Sequence, residues 1–264
     1  MKLSPPHSLS LPLWREGRVG LELAALLRDP VLRGEGVTDG RGQPVLLLPG
    51  FLAGDGSLKM MGRWLKQTGH YPKRAGIRMN VNCSGTAVEP LEQRLEELVQ
   101  RQGRRAAIVG QSRGGHFAKV LARRRPDLVS GIVTLGSPQL DPFAINPLVW
   151  TGVIAVGALG TLGGRGIFNR GCLDGDCCSG FWEDARQKLP RGVGYVSVSS
   201  RKDGVVEWHS CLDPGAEHVE ISSSHCGMAV NPDAYRIIAD SLKAFRRRDS
   251  RRRPAAVAPL RRAA

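Results

Sequence analysis

Short apolar runs alternate with helical patterns along most of this chain, and that alternation leaves few architectures open. Pro44-Val45-Leu46-Leu47-Leu48 is apolar at every position, which suits a strand buried on both faces, and Pro49-Gly50 ends it. Leu58, Met61, Trp64 and Leu65 then mark one face of a short helix. A weaker strand is expected over residues 76–80. Leu91, Leu95, Leu98 and Val99 recur at helical spacing, an amphipathic helix with Pro90 near its first turn. Further strands are expected over residues 105–109, 131–135, 193–199 and 217–221. A helix is expected over 114–124, stopped by Pro126. A last helix has Asn231 as its cap and Pro232 at its first position, with Tyr235, Ile238, Leu242 and Phe245 as its buried face. Strand after helix after strand, with strands this apolar, specifies the α/β class: a mostly parallel sheet flanked by helices.

The 264 residues are ample for one such domain, and a hydrophobic content of 41% excludes a wholly disordered chain. Aromatics at 5% supply a base-stacking surface poorly, so no specific nucleic-acid partner is expected. The net charge of +14 is concentrated: residues 246–264 hold eight arginines and one aspartate, half of the excess. That stretch has no apolar periodicity and reads as a disordered Arg-rich tail, able to meet an anionic membrane surface. The remaining boundaries are an N-terminal extension over 1–43 and a main domain over 44–245. The extension is loose for its first twenty or so residues and has a leading helix at 21–27. Within the main domain, residues 139–190 break the strand–helix rhythm as a lid-like or cap insertion over the C-terminal edge of the sheet, where such sheets bind ligands. No charge occurs between Asp141 and Arg165, but the apolar part, 148–162, is shorter than the roughly 20 residues a bilayer requires. An apolar cover or a surface-seeking segment is expected there. Pro5, Pro6 and Pro12 interrupt any signal-peptide core, which points to a cytoplasmic location.

The chemistry centres on Gly110-Gln111-Ser112-Arg113-Gly114, placed between an expected strand and an expected helix. A G-x-S-x-G string in that context is a nucleophile elbow: the sharp turn lifts the serine Oγ off the sheet edge, and a Cβ at either glycine would collide with its neighbours. Neither phosphate-binding glycine motif is present. A serine requires a base. His218 and His225 lie late enough with an acid before them; His218 falls inside a strand, whereas His225 follows it in a loop that can reach Ser112. Asp203 is the first carboxylate after the preceding strand and is suited to orienting the imidazole, with Glu207 and Asp213 as runners-up. Backbone N–H groups of Phe51 and Arg113 are placed to hold an oxyanion.

With those residues assembled, the chain resembles the α/β-hydrolase superfamily, and within it the bacterial lipase/esterase-like proteins. The resemblance covers roughly 44–245. It rests on the strand and PGF loop (Val45–Phe51), GQSRGG (Gly110–Gly115), TLGSP (Thr134–Pro138), DGVV (Asp203–Val206) and SHCGM (Ser224–Met228). Gln111 and Arg113 depart from the His and apolar residue that usually flank the serine. The resemblance implies a serine hydrolase of small-molecule or lipid carboxylic esters, working through a Ser-His-Asp triad and an acyl-enzyme, without metal or organic cofactor. Acyl transfer on the same triad, or a non-catalytic lipid-surface protein, are the alternatives. Cys172, Cys177 and Cys178 lie in the insertion, Cys211 follows the acid loop, and Cys226 adjoins His225. A disulfide from cover to catalytic loops and free buried thiols both remain open. No paired C-x-x-C occurs, so zinc is not expected.

Overall fold

The computed structural model describes residues 12–174 and 176–251. Six parallel strands form one sheet in the order β2-β1-β3-β4-β5-β6. They are β1 (Pro44–Leu48), β2 (Tyr71–Arg74), β3 (Ala106–Gln111), β4 (Val129–Leu135), β5 (Gly194–Ser199) and β6 (Glu217–Glu220). The helices are α1 (Val19–Arg28), α2 (Lys59–Gln67), α3 (Ser84–Gln102), α4 (Arg113–Arg124), α5 (Pro147–Thr161), α6 (Arg170–Asp174), α7 (Ser179–Arg186) and α8 (Pro232–Ser250).

Successive strand residues point to opposite faces, so one strand feeds two cores. Val45 and Leu47 join Trp64 of α2 and Tyr235 and Ile238 of α8 on one face. Leu46 and Leu48 join Leu95 of α3, Phe117 and Leu121 of α4 and Phe181 of α7 on the other. The continuous apolar runs are the signature of this double burial.

Two expected elements are displaced. The second strand is Tyr71–Arg74, not residues 76–80. As an edge strand it pairs only with β1, so it tolerates Pro72 and half-exposed Lys73, and its sequence carries no apolar signal. Residues 77 and 80 bond instead to the loop after β1: Asp55 N–H donates to Ile77 O at 2.9 Å, and Asn80 N–H to Ala53 O at 2.8 Å. Helix α3 starts at Ser84, with Cys83 as its N-cap, so Pro90 lies inside the helix rather than near its first turn.

The ends also differ from expectation. Residues 13–18 form a 3-10 helix leading into α1, where a loose segment was anticipated. At the other end α8 continues through Arg246, Arg247 and Arg248 to Ser250. The rest of the Arg-rich tail, from 252 on, lies outside the described residues. No helix among the described residues is long and apolar enough to cross a membrane.

Candidate active site

Ser112 joins β3 to α4 with φ +50° and ψ −121°, a conformation that an L-residue holds only when its surroundings dictate it. The dictating contacts are local. A Cβ on Gly114 would come 2.2 Å from Leu48 O, and one on Gly110 would come 2.5 Å from Gly114 O. Both glycines therefore let α4 start directly against the ends of β1 and β3. Ser112 N–H donates to Leu135 O at 2.8 Å, tying the turn to β4. The loop after β1 is as close: a Cβ on Gly50 would lie 3.2 Å from Ser112 Cβ. Phe51 follows in that loop, and Leu52 has φ +60°.

His225 and Asp203 meet. His225 Nδ1 lies 2.7 Å from Asp203 Oδ2, with both side chains buried, at 7% and 2% exposure. The other carboxylate oxygen of Asp203 accepts from Val205 N–H at 2.8 Å and Val206 N–H at 2.7 Å. Gly136, at φ +54° just past β4, makes room for the pair. A Cβ there would sit 3.0 Å from His225 Nδ1 and 3.1 Å from Asp203 Oδ2. Ser200 staples the two loops, donating its hydroxyl to Ser223 O at 2.6 Å and accepting from Ser223 N–H at 3.1 Å.

Two carboxylates from the N-terminal segment complete this arrangement, and the sequence reading passed over both. Glu16 accepts from Gly204 N–H at 3.0 Å, His225 N–H at 2.8 Å and Cys226 N–H at 2.9 Å. Glu22 accepts from Ser224 N–H and Ser224 Oγ, both at 2.8 Å. The sequence signal for Glu22 is an acid in an otherwise apolar helical stretch; Glu16, between Arg15 and Arg18, carries none. Burial opposes charge on His225, but the Asp203 carboxylate, through space and through its hydrogen bond, together with Glu16, outweighs that cost. The imidazole pKa ends above its ordinary 6.5.

The Arg113 side chain is bonded to the segment that leads into α3. It donates through Nη1 to Asn80 O and Asn80 Oδ1, each at 2.8 Å, and through Nη2 to Ser84 Oγ at 3.0 Å and to Asn82 O. Asn80 Nδ2 in turn donates to Pro49 O at 2.8 Å. The residue after Ser112 thereby braces the loop that carries Phe51. Burial lowers the guanidinium pKa to about 10, which leaves it charged at neutral pH.

The alternative site residues are committed elsewhere. Asp213 pairs with Lys119, Glu207 with His209, and His218 Nε2 lies 2.6 Å from Asp213 O. A disulfide from residues 139–190 to the loops carrying Asp203 and His225 does not form: Cys211 and Cys226 are free thiols.

Ser112, Arg113, Phe51 and His225 border one cavity of about 490 Å³. Its walls are apolar: Phe143, Val149, Val153 and Phe168 come from the stretch between β4 and β5, Val19 and Leu23 from α1. His116 also faces it, but burial, ahead of the nearby Arg113 and Lys119 charges, lowers its pKa to about 3, so the ring stays neutral. Such a chamber accepts an apolar group beside a serine hydroxyl and an imidazole–carboxylate pair.

The sequence matches no protein-family model and no curated protein. Solved structures are similar in fold. A mature lipase from Bacillus licheniformis aligns over 78% of this chain and 94% of its own, at 16% identity and TM-score 0.57. A soluble variant of monoglyceride lipase from Saccharomyces cerevisiae aligns over 81% and 89%, at 12% identity and TM-score 0.56. A monoacylglycerol lipase from Paleococcus ferrophilus aligns over 79% and 96%, at 14% identity and TM-score 0.52.

Proposed function

On this α/β-hydrolase fold, we propose that the chain is a serine hydrolase of carboxylic esters. Ser112 Oγ attacks the ester carbonyl while His225 Nε2 takes its proton. Asp203 holds Nδ1–H and stabilises the imidazolium. The tetrahedral oxyanion lies against the N–H groups of Phe51 and Arg113, the latter in the first turn of α4, where the helix dipole favours negative charge. Collapse expels the alcohol, which leaves with the proton from His225. Water then repeats the sequence on the acyl-enzyme and releases the acid and free Ser112. The acyl chain occupies the apolar cavity, so esters of apolar acids are the substrate class.

The observation that carries this reading is the buried 2.7 Å contact between His225 and Asp203, beside the same cavity as a serine held at φ +50°. A fluorophosphonate probe is expected to label wild type and not Ser112→Ala. Hydrolysis of p-nitrophenyl esters of graded length is expected to fall on the order of 10⁵- to 10⁶-fold in Ser112→Ala. Equal labelling of both proteins would put the reactive nucleophile elsewhere and overturn the reading, and labelling of neither would leave a lipid-surface binding protein as the better account.

A further inference from the structure

Cys83 and three cysteines close together in sequence, Cys172, Cys177 and Cys178, converge outside the hydrolytic machinery. Cys83 caps α3, Cys172 lies on α6, and Cys177 and Cys178 occupy the turn before α7. Cys83 Sγ is 3.5 Å from Cys177 Sγ and 3.4 Å from Cys178 Sγ. Cys177 Sγ is 3.2 Å from Cys172 Sγ and 3.7 Å from Cys178 Sγ. All four sulfurs lie within 4.8 Å of one another.

These separations fit one chemistry well. Disulfide sulfurs stand about 2.05 Å apart, and none of these pairs is near that. Tetrahedral zinc with bonds of about 2.3 Å separates its sulfurs by about 3.8 Å. Neither carboxylate nor imidazole joins the set, and four thiolates in tetrahedral array suit a thiophilic ion. We propose that Cys83, Cys172, Cys177 and Cys178 form a structural zinc site. The absence of a paired C-x-x-C hid it, because the fourth ligand comes from a separate element far upstream.

The surroundings support the assignment. Four thiolates around one divalent ion leave a net charge of −2, which nearby positive groups offset at this half-buried site. The Arg113 guanidinium supplies positive charge there, bonded to Asn82 and Ser84 on either side of Cys83. The N-terminus of the 19-residue α3 adds its dipole. Gly85 permits the approach of the two segments, since a Cβ there would come 2.5 Å from Cys177 O. All four positions are protein ligands, so the ion has no open site for a substrate and its role is structural. That role is specific: α6 has five residues and the turn at 176–178 three, too few to hold shape alone. The ion fastens this part of the insertion to α3, and Cys172 also borders the cavity.

The proposal does not depend on the hydrolase reading, and metal analysis separates the two. Full-length protein purified without chelator is expected to carry about one zinc per chain by elemental mass spectrometry. Ser112→Ala is expected to carry the same amount, as are Cys211→Ser and Cys226→Ser. Cys83→Ser is expected to lose it. After removal of zinc under reducing conditions, cobalt(II) is expected to give the visible d–d and sulfur-to-metal charge-transfer bands of a tetrahedral tetrathiolate; this needs only wild type. Substoichiometric zinc together with failure of the reduced protein to generate those bands would overturn the site. So would two disulfides among these four residues in the intact mass of the purified protein, or a stoichiometric metal other than zinc.

Discussion

The two oxygens of Asp203 are divided between backbone and ring: one accepts two N–H groups of its own loop, the other faces His225. Asp203→Asn keeps the volume but places an amide where a carboxylate fixes the imidazole tautomer. A fall of about 10⁴-fold in kcat is expected, with ester hydrolysis as the readout. The raised pKa of His225 sets the acid limb of the pH profile. The base must be neutral, so kcat/KM is expected to climb as pH passes through a value above 6.5, with no activity gained below it. Glu16 contributes to that elevation. Glu16→Gln removes a negative charge and is therefore expected to move the acid limb to lower pH, while a structural loss alone would lower the plateau without moving the limb. The candidate residues Ser112, His225 and Asp203 are named in the sequence by a motif and a chain order. Glu16 is not: its partners are backbone N–H groups as far as 210 positions along the chain, and such a contact leaves no side-chain pattern.

Helix α4 owes its start to a missing side chain. Gly114→Ala drives a methyl into Leu48 O, a backbone atom that cannot rotate away. A destabilisation of about 1–3 kcal/mol is expected by denaturant unfolding, with a loss of activity larger than the stability change explains, because the turn also aims Ser112. Elements with buried faces were legible: β1, β3, β4 and α8 announce themselves by apolar content. Strand β2 did not, because an edge strand of Tyr-Pro-Lys-Arg resembles a loop. Helix α5 was read as an uncharged stretch and is a helix apolar on all sides, capped by Asn146. Its Leu148 is 68% exposed, and Leu162 just beyond it 85%. Leu148→Ser with Leu159→Ser is expected to reduce hydrolysis of emulsified long-chain esters and to spare short soluble ones, measured side by side on the two substrates.

Across the molecule, the sheet divides the interior into two cores that share little besides backbone. Ile238→Val, behind one face, is expected to cost about 0.5–1.5 kcal/mol, and Leu95→Ala, behind the other, about 2–5 kcal/mol. The double variant is expected to show their sum within about 0.5 kcal/mol by denaturant unfolding, since Ile238 and Leu95 belong to separate clusters on opposite faces of the sheet. Strands apolar at every position, alternating with helices, made this layering legible; the closing of the ends did not follow from it. Glu16, near the start of the described chain, grips the two loops that follow β5 and β6. Synthesis therefore delivers the clamp first and the parts it clamps last. A nascent polypeptide whose last loop has yet to leave the ribosomal tunnel holds the buckle before the strap it fastens.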